Sequence, residues 1–164
     1  MNSNFTIAER IIRDEYQRLC NLIGLWPVPL DIYVCDDNAS EDKKTVLGFP
    51  LTNCTPCYSG SRRLMAIPLC EGDDWPHILP GFPPEKIDKH SLEWPTWRIE
   101  LWHEVTHQIS NDLFKTWEPK EPGRRLPNGL KSESGHGDGW FKGIKQFALK
   151  LNVDPEELDA LLNQ

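Results

Sequence analysis

Apolar residues near the start of the chain recur at intervals of three and four. Between residues 5 and 23 they include Ile12, Tyr16, Leu19 and Ile23. This spacing puts them on one face of a helix, so the segment predicts an amphipathic helix that packs against a core. Gly24 follows the last of these positions and is expected to end the helix.

Three short runs rich in β-branched and aromatic residues predict strands. They cover residues 30–34, 45–49 and 62–69. The first two runs are separated by residues 36–44, which are polar and acidic and predict a solvated loop. Together these runs predict a small sheet.

Proline and glycine divide the middle of the chain. Four prolines between residues 75 and 84 exclude a regular helix or a central strand there. Pro95 is expected to open a long helix that ends near Leu113, because the missing N–H of proline has no helical partner in the first turn. Residues 115–135 contain three more prolines and predict a second irregular connection, longer than compact domains usually carry.

The last part of the chain predicts two helices. The first begins near Gly139 and covers residues 141–151. Asp154 and Pro155 form the expected N-cap and first-turn pair of the second, which ends near Leu162.

Length and composition narrow the class of protein. A chain of 164 residues predicts one domain over residues 1–164. Seven tryptophans and six phenylalanines are too much apolar surface for a disordered chain. The most apolar run, residues 22–30, is far shorter than the roughly 20 residues that a membrane span needs. Charged residues interrupt the N-terminal segment, which disfavours a signal peptide, so we expect a cytoplasmic protein.

Net charge bears on possible partners. The formal charge of -7 repels phosphate backbones, so DNA binding is not expected. Small basic groups do occur, and they are interpreted as solvated faces. They are Arg124, Arg125 and Lys131 in the second irregular connection, and Lys142, Lys145 and Lys150 on the last helices.

The five cysteines occur in an irregular, odd-numbered set. Cys54 and Cys57 form a C-x-x-C pair, with Cys35 and Cys70 on either side. A second zinc site and a redox pair are both open interpretations, but free thiols are favoured because a chain of this size needs no disulfide framework.

The long predicted helix carries the motif His103-Glu104-Val105-Thr106-His107. In this H-E-x-x-H pattern, two histidines four residues apart point the same way, separated by about 40° around the helix axis, and can bind one zinc ion. Glu104 is displaced from them by about 100°, so it is expected to act as a general base rather than as a ligand. On the opposite side, an apolar arc that includes Leu113 is expected to pack against the core.

A catalytic zinc ion usually has three protein ligands, so the third must come from elsewhere in the chain. The candidates are His136, Glu118, Glu121, Glu133, His77 and His90. His136 is the strongest of them, because its flanking glycines would let the backbone approach a metal closely and then start a helix.

The motif HEVTH followed by GHGDGWFKGI resembles the SprT-like metallopeptidases, which include the Spartan-type proteases. The resemblance implies an α+β, minimal zincin-like fold, in which a small twisted sheet packs on the H-E-x-x-H helix. It implies that His103, His107 and His136 bind zinc, that Glu104 is the catalytic base, and that Trp140 packs beneath the site. In such a fold a strand such as residues 62–69 lies at the mouth of the cleft, where it can pair with an extended substrate.

The connection between His107 and His136 has 28 residues, so residues 115–135 are interpreted as an inserted loop that shapes the cleft.

The expected function is zinc-dependent hydrolysis of peptide bonds in a protein or peptide substrate. Tyr58 and Arg62 are candidates to stabilise the oxyanion. Two alternatives remain open: a non-catalytic, zinc-stabilised interaction module, and a zinc hydrolase with a non-protein substrate. Trp94, Trp97 and Trp102 are interpreted as core residues rather than as a binding platform.

Overall fold

The computed structural model of the chain describes residues 3–70, 96–116 and 118–163. The predicted proline-rich loop at residues 75–84, the helix start at Pro95, and the positions of His77, His90 and Trp94 lie outside these residues. The described part has an α+β architecture, as expected. Its helices are α1 (Ser3–Ile23), α2 (Thr96–Ile109), α3 (Asp138–Leu151) and α4 (Pro155–Leu162), and its strands are β1 (Leu30–Val34), β2 (Cys57–Ser59) and β3 (Leu64–Leu69).

The three strands form one sheet in the order β1-β3-β2. β1 runs parallel to β3, with Leu30 opposite Met65, and β2 runs antiparallel to β3, with Cys57 opposite Ala66. β3 is therefore the central strand, and all six of its residues are buried. The prediction that residues 62–69 form the strand open to substrate is wrong, because both edges of β3 are already paired. β2 is the edge strand on the side of α2.

Residues 45–49 form a tight turn, and the prediction of a strand there is wrong. The N–H of Thr45 bonds to the carbonyl of Phe49 at 2.8 Å, and Gly48 adopts a positive φ of 94° that breaks the extended run. The carboxylate of Asp31 on β1 accepts hydrogen bonds from the Thr45 hydroxyl and from the N–H of Leu47. A β1 side chain thus folds this apolar run into a turn.

Helix α2 lies at the centre of the molecule and packs against α1, α3 and the sheet. Trp102 is fully buried and lies 4.9 Å from the ring of Phe147 on α3. Trp97 is also buried, so the interpretation of these two tryptophans as core residues is confirmed. None of the described helices is long and apolar enough to cross a bilayer.

After Ile109, α2 continues as one wider turn, Ser110–Phe114, and ends at Lys115 in a left-handed conformation. A turn of this kind changes the rotational phase of the residues that follow it. Leu113 is consequently 42% exposed, and the prediction that it extends the buried arc is wrong.

The connection from α2 to α3 is irregular, as predicted, and its middle is fastened to the C-terminal helices by Arg124. The guanidinium forms ion pairs with Asp159 and Glu156 on α4 and stacks on the Phe141 ring, 3.7 Å from its centroid. The interpretation of Arg124 as a solvated basic group is therefore wrong, whereas Arg125 beside it is exposed.

The cysteines also differ from expectation. Cys35 and Cys54 are joined in a disulfide, with their Cα atoms 5.3 Å apart, while Cys20, Cys57 and Cys70 are outside disulfides. The prediction of free thiols is wrong for the first two. Sequence spacing gave no sign of this pairing, since Cys35 directly follows β1 and Cys54 lies nineteen positions further along the chain.

Candidate metal centre

Two of the candidate ligands come from one helix. His103 and His107 lie one turn apart on α2, and their Nε2 atoms are 3.2 Å apart. The helix is fixed by burial on its other sides, where Leu101 and Val105 are fully enclosed. The spacing of four residues therefore produces the pairing of imidazoles that the motif predicts.

The third histidine arrives from the residues just before α3. His136 Nε2 lies 2.8 Å from His103 Nε2, and the coordinating atoms of all three histidines lie within 4.8 Å of one another. The carbonyl of His136 accepts a hydrogen bond of 2.7 Å from the Ser132 hydroxyl, which fixes the backbone at this point. Gly137 is the N-cap of α3.

The glycines beside His136 serve packing rather than close approach to a metal. Gly135 has a φ of 83°, which disfavours a side chain, and a Cβ on Gly137 would collide with the backbone of Pro122. The reason for these glycines thus differs from the one that the sequence suggested, although both place His136 at the start of α3.

The donor set fits a zinc ion. Zinc–nitrogen bonds of 2.0–2.1 Å in a tetrahedral site put the nitrogens roughly 3.3 Å apart, close to the separations found between the imidazoles. Burial lowers the pKa of His103 to about 4 and lowers the pKa of His107 and His136 as well. Neutral imidazole is the form that binds a metal, so burial prepares the three rings for coordination.

A backbone carbonyl orients His103. Its Nδ1 lies 2.7 Å from the carbonyl oxygen of Leu162 at the end of α4. Donation of the Nδ1 proton to this oxygen leaves Nε2 as the unprotonated nitrogen that faces the other two rings. A histidine that binds a metal commonly has such a partner, and the sequence motif contains no sign of it.

Glu104 lies beside the histidines but is not part of the converging group. It is 5% exposed, and its carboxylate accepts a hydrogen bond from the backbone N–H of Tyr58 on β2. Burial, reinforced by the negative charge of Glu100, raises the pKa of Glu104 to about 8. The separation of Glu104 from the three imidazoles agrees with its angular displacement on the helix.

Trp140 forms the floor of the site, as the resemblance implies. It is fully buried, and its ring centroid lies 5.0 Å from that of His136 and 5.4 Å from that of His103. This indole holds the first turn of α3 against the motif helix and closes the inner side of the histidine cluster.

The histidines and Glu104 line a cleft of about 670 Å³. One wall is the edge strand, with Pro56, Cys57 and Tyr58. The rest of the lining comes largely from the connection before α3 and from the end of α4. The lining residues from these two parts are Leu126, Asn128, Leu130, Lys131, Ser132, Glu133, Leu162 and Asn163.

The other candidate ligands have different places. Glu118 is exposed, and the carboxylate of Glu121 accepts hydrogen bonds from the N–H of Gly139, at 2.9 and 3.2 Å, in the first turn of α3. Glu133 lines the cleft but is not in the converging group. Among the described candidates, His136 alone completes a cluster with the motif histidines.

The side chains of both candidates for oxyanion stabilisation, Tyr58 and Arg62, form hydrogen bonds with other residues. The Tyr58 hydroxyl donates to Asp112 at 3.1 Å, and Arg62 donates to the carbonyl of Leu47 at 3.1 Å while stacking over Phe49. Tyr58 lines the cleft whereas Arg62 does not, and a role of either residue in stabilising an oxyanion stays a prediction.

Comparison with known proteins identifies no relative: no family model, no curated protein sequence and no solved structure matches this chain.

Proposed function

We propose that this chain is a zinc-dependent peptidase with a minimal zincin-like fold, of the kind that the SprT-like metallopeptidases represent. The convergence of His103, His107 and His136 beside a buried glutamate is the observation that carries the proposal. Three histidines with one open side are the ligand arrangement of catalytic zinc, whereas a structural zinc site is usually closed by a fourth protein ligand. Zinc is accordingly the proposed cofactor.

The proposed roles follow from where the side chains lie. The three Nε2 atoms would hold the ion, and a bound zinc ion supplies a Lewis acid that activates water and polarises a carbonyl. Glu104 lines the same cleft, and its ionised form, which the charge of a nearby cation would favour, takes the proton of the attacking water and delivers it to the leaving amine. The hydrogen bond from the Tyr58 N–H orients this carboxylate.

A protein or peptide is the proposed substrate. The edge strand β2 forms a wall of the cleft next to the histidines, and an extended peptide can add to such an edge through its own backbone. Leu126 and Leu130, two apolar residues that also line the cleft, would contact the substrate's side chains. A cytoplasmic location and the absence of DNA binding stay predictions from the sequence.

Replacing Glu104 with glutamine tests the catalytic step. The amide oxygen can still accept the Tyr58 N–H, so we expect zinc content and melting temperature to stay near those of the wild type. Peptidase activity on an unfolded protein substrate should fall by about 10²–10⁴-fold, the usual effect of removing a general base. A Glu104→Gln variant that retains its zinc and cleaves at the wild-type rate would refute the mechanism.

Replacing His136 tests the ligand set. Wild-type protein should bind about one zinc ion at this centre, and His136→Ala should lower its affinity sharply because one of three ligands is lost. Glu133→Ala is the matched control, since Glu133 lines the same cleft outside the histidine cluster. Loss of zinc from the Glu133 variant, with retention in the His136 variant, would show that the third ligand is misassigned.

The second candidate function is a non-catalytic, zinc-stabilised interaction module. The hydrogen bond from His103 to Leu162 favours it, because a metal held by His103 would also fasten α2 to the last helix. Zinc binding at the three histidines, together with no cleavage across a broad panel of proteins, would support this candidate over the peptidase.

A further inference from the structure

A second group of metal-binding side chains lies away from the histidine cluster. Asp37 Oδ1 is 3.0 Å from Cys54 Sγ and 3.9 Å from Cys35 Sγ, and the three potential ligand atoms lie within 4.8 Å of one another. Thiolate sulfur and carboxylate oxygen are both zinc ligands, and two thiolates are typical of sites for thiophilic metals. We propose that Cys35, Cys54 and Asp37, after reduction of the disulfide, form a second binding site for a thiophilic divalent cation such as zinc.

The backbone holds the two cysteines in place independently of the bond between them. The N–H of Cys35 bonds to the carbonyl of Leu69 at 2.8 Å, which fixes Cys35 at the end of β1. On the other side, the Tyr33 hydroxyl donates to the carbonyl of Asn53 at 2.7 Å, next to Cys54. Reduction therefore leaves the two thiols facing each other on anchored segments, and ordered ligands bind a metal with a smaller entropic cost.

Asp37 distinguishes this pair from a purely structural disulfide. A disulfide is neutral and gains little from a neighbouring carboxylate, whereas two thiolates and one carboxylate carry three negative charges that a divalent cation partly neutralises. Among the described residues, no lysine or arginine forms an ion pair with Asp37. The cation would supply the positive charge that the described residues do not supply through an ion pair.

A dithiol can reduce the Cys35–Cys54 disulfide. The dithiol gives two electrons and two protons to the Cys35–Cys54 disulfide and itself becomes a disulfide, which leaves two thiols on the protein. Each thiol releases its proton to solvent when the metal binds, so two protons leave for each ion bound. The bound ion would then tie the end of β1 to the segment that leads into β2.

This site is independent of the proposed peptidase, because it shares no ligand with the histidine cluster. The bound ion would nevertheless act close to the cleft, since Cys54 directly precedes Thr55 and Pro56, which line the cleft wall. Its position points to a role in holding that wall rather than in catalysis.

Cobalt(II) is a suitable probe, because thiolate ligands give it a near-ultraviolet charge-transfer absorption that histidine ligands do not. The full chain is reduced without oxygen by a phosphine, five thiols are verified by titration, and cobalt is added. We expect two equivalents to bind, with the charge-transfer band saturating at one of them. Reduced wild-type protein that binds one equivalent without the band would overturn the proposal, as would a disulfide that the phosphine cannot open in the folded chain.

Variants assign the band to its ligands. The double variant Cys35→Ser with Cys54→Ser should lose the band and one equivalent of cobalt, while retaining the equivalent at the histidines. Asp37→Ala should move the midpoint for the band to a higher cobalt concentration. Cys70→Ser removes an exposed cysteine outside the cluster and should change neither property. A band that persists in the double variant, or that disappears in Cys70→Ser, would show that other cysteines bind the metal.

Discussion

Gly143 on α3 determines how closely that helix can approach the motif helix. A Cβ atom at this position would lie 2.7 Å from the carbonyl oxygen of Thr106 and 3.3 Å from the backbone nitrogen of Ser110, and closer still to the Ser110 hydroxyl. That hydroxyl bridges the two helices, because its oxygen lies 3.1 Å from the carbonyl oxygens of both Thr106 and Trp140, which share its one proton. We therefore expect Gly143→Ala to push α3 away from α2.

Two opposing effects set the size of the change in stability. Alanine favours the helix over glycine by about 1 kcal/mol. Forcing a methyl group into a filled contact costs about 1–3 kcal/mol, and here one of the two closest atoms is the carbonyl oxygen of Thr106, a backbone atom that cannot rotate aside. The net expectation is a loss of about 0–2 kcal/mol in the free energy of unfolding. For a chain of 164 residues this corresponds to a fall in melting temperature of up to roughly 8 °C.

The same shift should weaken the candidate metal centre. His103 and His107 are fixed to α2, whereas His136 precedes α3 and would move with it, so the third nitrogen would leave its position. We expect zinc affinity to fall by about 10–100-fold, the effect typical of disturbing the residues behind a ligand. Thermal unfolding and a competitive zinc titration measure both quantities, with Lys145→Ala as a control at an exposed position of α3. A Gly143→Ala variant that melts higher than the wild type and binds zinc equally well would refute the reasoning.

The remaining predictions concern ion pairs. Arg124→Ala should lower the free energy of unfolding by about 3 kcal/mol, because it leaves the buried carboxylate of Asp159 without its cation. The control Arg125→Ala removes an exposed arginine and should change this free energy by no more than about 0.5 kcal/mol. Urea unfolding measures both variants. Burial alone would raise the pKa of Asp112, but hydrogen bonds led by the one from Arg63 bring it below its usual 3.8. The carboxylate therefore stabilises the fold fully above about pH 4 and progressively less as the pH falls through its folded-state pKa. Asp112→Asn should unfold at a lower urea concentration than the wild type at pH 7, and the difference should shrink by pH 3; a constant difference would contradict this account.

Secondary structure was predictable where one local pattern decides the conformation. The helical spacing in α1, the β-branched run of β1, and the Asp154–Pro155 start of α4 each gave the element that the structure contains; the side chain of Asp154 accepts from the N–H of Glu156 at 2.7 Å. The prediction failed at residues 45–49, where Asp31 on a neighbouring strand imposes a turn. β2 was missed because its three residues lie between Pro56 and Gly60, too short a run to show a pattern.

The candidate site was likewise predictable from the sequence only in part. The pairing of His103 with His107 follows from helix geometry, and the order of residues around His136 was sufficient to select it. The carbonyl of Leu162 could not have been found, since every residue carries a carbonyl and only the fold determines which one meets His103. Gly143 also gave no local signal, because its role depends on the distance between two helices.

The cluster is assembled by three separate parts of the chain, and this links metal binding to folding. α2 supplies two imidazoles in a fixed relation, so the completeness of the site depends on whether α3 and α4 dock correctly. The docking of α3 sets the position of His136, while α4 supplies the carbonyl that orients His103. An ion held by all three histidines would bind the docked state more tightly than any partly undocked one, and by linkage would stabilise that docking. The contacts around Gly143 and Arg124 are therefore expected to affect the zinc affinity of the candidate metal centre, although neither residue is a proposed ligand.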